Sequence, residues 1–279
     1  MTPHRLYNEQ RFARIIAYLH EHYAEKLDLN RIAEEACLSP YHWHRIYRGV
    51  LGETIHATLK RIRLHQAAWL LANSDKSVAA IAREVGYGGN AQSFTRIFRE
   101  SHGASPEDYR TQSRVPYHER QAGKLAAYPV EIRTIAPIAV ITLDHHGDYM
   151  QIGDTFHRLY SLLQLRGISY AARSFGIYHH CPHATPADEL FSQAAIAASD
   201  AVEPPLQNGT IRGGRYAVMR HQGSYAELDR AYDWFYGDWL LQSPHEIADA
   251  PPIEEYLNDV QTTAPQDLLT DIYIPLAEE

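Results

Sequence analysis

The chain has 279 residues, 45% hydrophobic and 11% aromatic, which suits two ordinary domains with apolar cores and excludes a wholly disordered protein. No apolar run approaches the roughly 18 residues of a membrane span, and we read no signal peptide at the N-terminus. Cys37 and Cys181 lie in different halves, so we expect no disulfide framework and a cytoplasmic location.

The charge is distributed unevenly along the chain. Residues 1–115 contain 16 of the 26 lysines and arginines and 12 of the 34 acidic residues, so this half is basic. The remainder carries 10 basic against 22 acidic residues. A basic half joined to an acidic half indicates two different partners, although charge drift between domains would give the same pattern.

The first half contains two similar helix–turn–helix copies. The stretches IAEEACLSPYHWHRIYRGVLG (32–52) and IAREVGYGGNAQSFTRIFRESHG (81–103) both open with Ile-Ala-x-Glu and close with Arg-Ile-aromatic-Arg. Each predicts a short amphipathic helix, a turn and a second helix. Residues 54–74 predict a long connecting helix, and Ser105 followed by Pro106 predicts the start of one more.

Helical periodicity divides the second helix of each copy into a buried and a presented face. The opposite faces are rich in arginine, amide and hydroxyl groups, which can read base edges in the major groove of DNA. An ordinary solvated surface is the alternative, but it would more often carry Glu and Lys. The predicted buried stripes are Trp43, Ile46 and Tyr47 in the first copy and Phe94, Ile97 and Phe98 in the second.

This repeat resembles the DNA-binding domain of AraC/XylS-type bacterial transcription regulators. The resemblance covers residues 8–112 and is strongest over GYGGNAQSFTRIFRESHGASPEDYR (86–110). It implies two recognition helices that enter successive major-groove segments of double-stranded DNA, with phosphate contacts that position them. It implies base contacts from Tyr41, His44, Arg45, Gln92, Ser93 and Arg96, and phosphate contacts from Arg48, Lys60, Arg61 and Arg99.

The second half also contains a repeat. Residues 139–163 match 217–241 at an offset of 76, and residues 175–199 match 253–277 at an offset of 78. Each copy predicts a strand, a helix, a strand, a loop and a strand, a βαββ unit. The predicted fold class is an all-α tandem helix–turn–helix domain (1–112), a linker (113–127) and an α+β domain of two βαββ copies with a cleft between them (128–279).

One position of the βαββ repeat points to ligand binding. Strand alternation places Glu254 and Tyr256 on one face, and their twins in the other copy are Gly176 and Tyr178. A buried carboxylate needs a partner, and a glycine opposite leaves room, so the site invites a cation between aromatic walls. The alternative is that Glu254 lies on an exposed strand face and binds nothing.

The stretches RHQGSY and PPIEEYLND…DLLTDIYIPL resemble GyrI-like effector-binding domains, which follow AraC-type and MerR-type DNA-binding modules, and the two-part order is similar to the Rob-type architecture. The resemblance implies a lipophilic cation held by the glutamate that matches Glu254. Glu255 stands where the family usually has an apolar residue. The predicted ligand-binding residues are Glu254, Tyr256, Tyr178, Tyr149, Tyr225, Gly176 and Trp234.

The stretch HHCPH (179–183) contains zinc-ligand residue types, but strand neighbours point oppositely and no second cluster completes a site, so we predict no metal and no cofactor. The predicted function is a transcriptional regulator that binds DNA, senses a small lipophilic cation and contacts RNA polymerase, without a membrane partner or enzymatic activity. The alternatives are a GyrI-like small-molecule hydrolase, with Glu254 and Tyr256 as acid–base groups, or a drug-sequestering protein.

Overall fold

The computed structural model describes residues 3–35, 40–88, 91–113 and 128–278. The described part of the first half is helical, and the described part of the second half combines strands with helices, so the predicted order of an all-α region followed by an α+β domain is confirmed. The predicted domain bounds stay predictions. The helices of the first half are α1 (Pro3–Glu21), α2 (Leu29–Glu35), α3 (Pro40–Leu51), α4 (Ile55–Asn73), α5 (Val78–Glu84), α6 (Ala91–His102) and α7 (Pro106–Ser113).

The second half begins with strands and places one main helical segment in each βαββ copy. The strands are β1 (Val130–Ile135), β2 (Ile138–His146), β3 (Ser174–Tyr178), β4 (Phe191–Ala197), β5 (Gln207–Ile211), β6 (Gly214–Gln222), β7 (Ile253–Tyr256) and β8 (Leu269–Pro275). The helices are α8 (Ile152–Arg166) and α9 (Leu228–Trp234), and α9 continues through a π-helical turn (Phe235–Trp239) into α10 (Leu240–Gln242).

The second helix–turn–helix copy forms as its apolar pattern predicts. Phe94 and Phe98 of α6 are fully buried, as are Ile81 of α5 and Val85 directly after it. The predicted connecting helix is α4. Helix α7 begins at Pro106. The hydroxyl of the preceding residue, Ser105, accepts a hydrogen bond from the main-chain amide of Asp108 and so caps the helix.

The predicted buried stripe of α3 is wrong at Ile46, whose side chain is 40% exposed. The buried residues of this helix are Tyr47 and Leu51, one turn apart, which pack with Phe12 and Ile15 of α1. Ile46 lies about 100° around the helix from Tyr47 and falls outside this contact. The side chains of Tyr41 and Trp43, and the turn residues Ser39 and Asn90, lie outside the described residues.

Each βαββ copy forms an antiparallel sheet with its helix on one face. The strand order is β3-β4-β2-β5 in the first copy and β1-β6-β8-β7 in the second. Leu159 of α8 packs on Ile141 in the first copy, and Phe235 packs on Met219 in the second. The edge strands β5 and β1 were not predicted; β1 precedes the first copy in the chain but pairs with β6 of the second.

Contacts divide the chain into two units that do not follow the order of the sequence. The first unit comprises Met1–Ile62, Ala136–Gly213 and Ala250–Ile253, and the second comprises Arg63–Ile135, Gly214–Asp249 and Glu254–Glu279. Each unit therefore joins one helix–turn–helix copy to one βαββ copy. Within the described residues, no helix has the length and apolar character required to cross a membrane.

Candidate functional site

Helix α6 presents a polar face above its buried phenylalanines. Gln92, Arg96 and Arg99 are exposed, and Ser93 is half-buried. The first three line an open surface depression together with neighbours on the same helix. Arg96 is 65% exposed and donates to Glu100 one turn later, with 2.6 Å between Nη1 and Oε1. A surface pair of this kind contributes at most about 1 kcal/mol, so Arg96 can exchange it for another acceptor.

The first unit contains the other predicted DNA-binding residues. His44, Arg45 and Arg48 of α3 are exposed, as is Lys60 of α4.

Arg61 differs from these exposed residues. It is half-buried, and its Nη2 donates to Glu53 Oε1 and lies 2.7 Å from His157 Nε2. In this structure the guanidinium is bound inside the first unit, and the expectation that Arg61 contacts a DNA phosphate stays a prediction.

A buried carboxylate lies in the second unit at Glu254, which is 4% exposed. The hydroxyl of Tyr232 donates to Oε1 and that of Tyr256 donates to Oε2, each at 3.0 Å. The rings of Tyr225 and Tyr256 lie 5.2 Å apart. Both of these hydrogen bonds come from neutral phenols, which satisfy the carboxylate oxygens without themselves cancelling the charge.

Tyr232, on α9, was not among the predicted ligand residues. Its twin in the first copy is Phe156, at an offset of 76, just as the twin of Glu254 is Gly176, at an offset of 78. The second copy thus has both the carboxylate and the Tyr232 phenol, and the first copy has neither of these two groups. A search for hydroxyl groups present in only one copy would have found Tyr232.

A second carboxylate, Glu255, follows directly on β7 and is also buried. Its Oε2 accepts a hydrogen bond from the hydroxyl of Tyr273, at 2.7 Å. Burial, the hydrogen bond and the charge of Glu255 raise the pKa of Tyr273 to about 12, so this phenol stays protonated as a donor near neutral pH. The twins of this pair are Ile177 and Ala195, which again lack both functional groups.

The remaining predicted ligand residues fall into two groups. In the first unit Gly176 is buried, and the rings of Tyr149 and Tyr178 lie 4.8 Å apart, matching the Tyr225–Tyr256 pair. The Tyr149 hydroxyl lies 3.0 Å from two main-chain oxygens and so holds a loop. In the second unit Trp234 packs in the core, 5.5 Å from Tyr128. The cleft predicted between the two copies stays a prediction.

The HHCPH stretch takes part in local contacts of the first unit. The Nδ1 atom of His180 accepts a hydrogen bond from the Phe191 amide, and the ring of His179 stacks on Phe191 at 4.8 Å. Cys181 is an exposed free thiol. Within residues 3–35, 40–88, 91–113 and 128–278, no group of three His, Cys, Asp or Glu side chains could hold a metal ion.

The second half of the chain matches a known protein family. A family described as a GyrI-like small molecule binding domain matches residues 128–277, more than half of the chain. The chain belongs to this family. A helix–turn–helix domain family matches residues 32–112, so this GyrI-like protein carries an AraC-type domain in its first half.

Two relatives each match about two fifths of the chain. The regulatory protein PocR of Salmonella typhimurium is 31% identical over 111 residues, which are 40% of this chain and 35% of PocR. The transcriptional activator RhaS of Salmonella schwarzengrund is 36% identical over 103 residues, 37% of each chain. This GyrI-like protein thus spans little more than a third of the length of these two relatives.

One solved structure matches most of the chain. The cryo-EM structure of an EcmrR–DNA complex has a TM-score of 0.51 at 15% identity and covers 88% of this chain and 85% of its own. At this identity the match shows the fold alone.

Proposed function

We propose that the protein is a transcriptional regulator that binds double-stranded DNA through α3 and α6 and senses a small lipophilic cation at Glu254. The observation that carries the proposal is the buried Glu254 carboxylate with two phenol donors, in a chain that also presents arginine-bearing helix faces.

The DNA-binding part is supported by the exposure of α3 and α6. Arg45 and Arg96 occupy equivalent positions of the two copies, and both are exposed. Arginine can pair bidentately with guanine, and Gln92 can pair with adenine. PocR, RhaS and EcmrR are named as a regulatory protein, a transcriptional activator and part of a DNA complex. Contact with RNA polymerase belongs to the same proposal.

The effector part is supported by the chemistry around Glu254. A ligand cation would be attracted to the negative charge of this carboxylate, and the attraction between opposite charges is stronger in a buried site than in water. The rings of Tyr225 and Tyr256 offer faces for cation–π attraction. The carboxylate is almost fully buried, so a ligand that reaches it must leave water, which favours a lipophilic cation.

Titration with tetraphenylphosphonium tests the effector site. Glu254→Gln should weaken binding at least about tenfold, since it removes the charge and keeps the shape. Glu255→Gln is the matched control and should stay within about threefold, because strand alternation directs it to the other face. Both variants should bind DNA as the wild type does without ligand. Unchanged affinity in Glu254→Gln would exclude this site, and turnover of a ligand would favour the hydrolase alternative.

Selection from random duplexes tests the DNA part. The wild type should enrich a preferred sequence. A plot of the logarithm of its affinity against the logarithm of the salt concentration should have a slope of about −0.9 per phosphate contact. Enrichment of no sequence would contradict the regulator proposal.

A further inference from the structure

In the first unit, helix α8 of the βαββ copy packs against α1 and α3 of the helix–turn–helix copy. Leu165 of α8 joins the apolar core that contains Phe12 and Tyr47. The neighbouring Arg166 makes a two-pronged ion pair with Glu9 of α1, with Nε–Oε1 and Nη2–Oε2 distances of 2.9 Å. Both side chains are buried, at 6% and 5% exposure, so α8 is attached by apolar and ionic contacts together.

Helix α8 makes a second polar contact at His157, about two and a half turns before Arg166. Its Nε2 lies 2.7 Å from Arg61 Nη2, and its Nδ1 lies 3.1 Å from His20 Nε2. An arginine nitrogen can only donate, so Nε2 of His157 accepts and carries no proton. His157 is therefore neutral here, with its proton on Nδ1 directed to His20. Burial, the charge of Arg61 and the proximity of His20 lower the pKa of His157 well below its usual value.

Arg61 connects this contact to the DNA-binding half. It follows the exposed Lys60 on α4, and its Nη2 donates to both Glu53 and His157. The docked α8 thus supplies one of the two acceptors that direct the guanidinium into the protein. Both hydrogens of Nη2 are thus directed to acceptors inside the unit, and a DNA phosphate would have to compete with Glu53 and His157 for this nitrogen.

We propose that α8 restrains DNA binding through a clasp of His157, Arg61, Glu53 and His20, which withholds Arg61 from the phosphate backbone. The inference rests on the proposed DNA-binding function and adds a regulatory contact to it. When α8 moves away, Arg61 loses its histidine acceptor and becomes available to phosphate. Opening the clasp therefore raises DNA affinity and adds one phosphate contact to its salt dependence.

The test uses the full chain and the preferred DNA sequence. His157→Phe keeps a flat ring but cannot accept from Arg61, and it should raise affinity about three- to tenfold and steepen the salt slope by about 0.9. His157→Gln is the matched control, because its amide oxygen can still accept, and it should behave as the wild type does. Adding Arg61→Ala to His157→Phe should abolish both the gain and the added slope.

Hydrogen exchange separates the clasp from the DNA readout. His157→Phe should accelerate exchange in residues 152–166 and 3–21, and thermal unfolding should confirm that the variant is folded. If it is not folded, Arg166→Gln weakens the attachment of α8 to α1 at the ion pair with Glu9, and a gain of DNA affinity in the same direction is expected. A gain that survives Arg61→Ala, or no gain at all in a folded variant, overturns the inference alone. Failure of the wild type to bind any sequence removes the proposed function and the inference together.

Discussion

The two βαββ copies share one architecture but differ in where they place charge. In the second copy two carboxylates of β7 pair with phenols of other elements, Glu254 with Tyr232 of α9 and Glu255 with Tyr273 of β8. The first copy has glycine and apolar residues at these four positions. The first copy instead has charged and polar contacts between its helix α8 and the helix–turn–helix copy, made by His157 and Arg166.

The twins of His157 and Arg166 in the second copy are Asp233 and Gln242, both exposed. Helix α8 therefore uses these two positions to hold a neighbouring domain, and the equivalent positions in the second copy are exposed. A duplicated scaffold has thus become specialised, with a candidate effector site in one copy and a docking helix in the other.

Breaking the buried ion pair of α8 should have the largest effect. Arg166→Ala removes the cation that makes two hydrogen bonds to the buried Glu9 carboxylate, which we expect to lower the free energy of unfolding by about 3–5 kcal/mol. The twin variant Gln242→Ala should change it by less than about 0.5 kcal/mol, because Gln242 is exposed. Denaturant unfolding of both variants measures the difference, and equal effects would contradict the specialisation of α8.

Removing one phenol from the carboxylate of the second copy should have the next largest effect. Tyr232→Phe deletes a hydrogen bond to the buried Glu254 and should cost about 1.5–3 kcal/mol of unfolding free energy. Tyr236→Phe, one turn later and 39% exposed, is the control and should cost less than about 0.5 kcal/mol. If Tyr232→Phe is equally mild, the phenol does not support the carboxylate.

The arginines of the two units should differ in DNA binding. Arg96→Ala should cost about 1–3 kcal/mol on the preferred sequence and much less on random DNA, if Arg96 pairs with a base. Arg61→Ala should change affinity by less than about 0.5 kcal/mol, since the clasp already withholds that side chain. Fluorescence titration with labelled duplexes distinguishes the two, and a larger loss for Arg61 would reverse the assignment.

The smallest expected effect is a change in the pH dependence of stability. His157 titrates near pH 6.5 when unfolded and well below that value when folded, so the unfolded chain binds more protons between these values. The contribution of the neutral His157 to the free energy of unfolding is therefore fully present above about pH 6.5 and is lost as the pH falls. The groups that face His157 are Arg61 on α4, Glu53 before it and His20 on α1, which lies 4.0 Å from Asp154.

His157→Gln should reduce the slope of the unfolding free energy against pH by about one proton, which corresponds to about 1.4 kcal/mol per pH unit. His102 and His221 are also buried, and burial lowers the pKa of each to about 4, so part of the slope should remain. Denaturant unfolding between pH 4 and 7 measures it. Identical slopes in the variant and the wild type would mean that His157 does not titrate as its surroundings require.

Local pattern predicted much of this structure from the sequence. The stripe of Phe94 and Phe98, the helix start at Pro106 and both βαββ copies follow from periodicity and capping, which act between near neighbours. The burial of Glu254 agrees with the comparison of the two copies, which set a carboxylate against a glycine. The DNA-contact residues remain predictions.

Contacts between distant residues could not be predicted in the same way. Arg61 has the helical phase of a surface residue, and its partner His157 lies 96 residues further along the chain. Strand β1 carries no local sign that it pairs with β6 rather than with its neighbour β2. The prediction that Ile46 is buried was wrong because an apolar stripe shifted by one residue fits the same short sequence almost as well.

The division into units that interleave the two halves has a practical consequence for protein engineering. A cut after residue 113 would separate Glu9 from Arg166 and strip the first helix–turn–helix copy of the helix that covers it. A fusion of either half to a foreign domain would keep one member of this ion pair, Glu9 or Arg166, and lose the other. The foreign domain would then have to supply the opposite charge. Chimeras of this protein should therefore exchange whole units, each assembled from several pieces of chain, rather than the segments on either side of the linker.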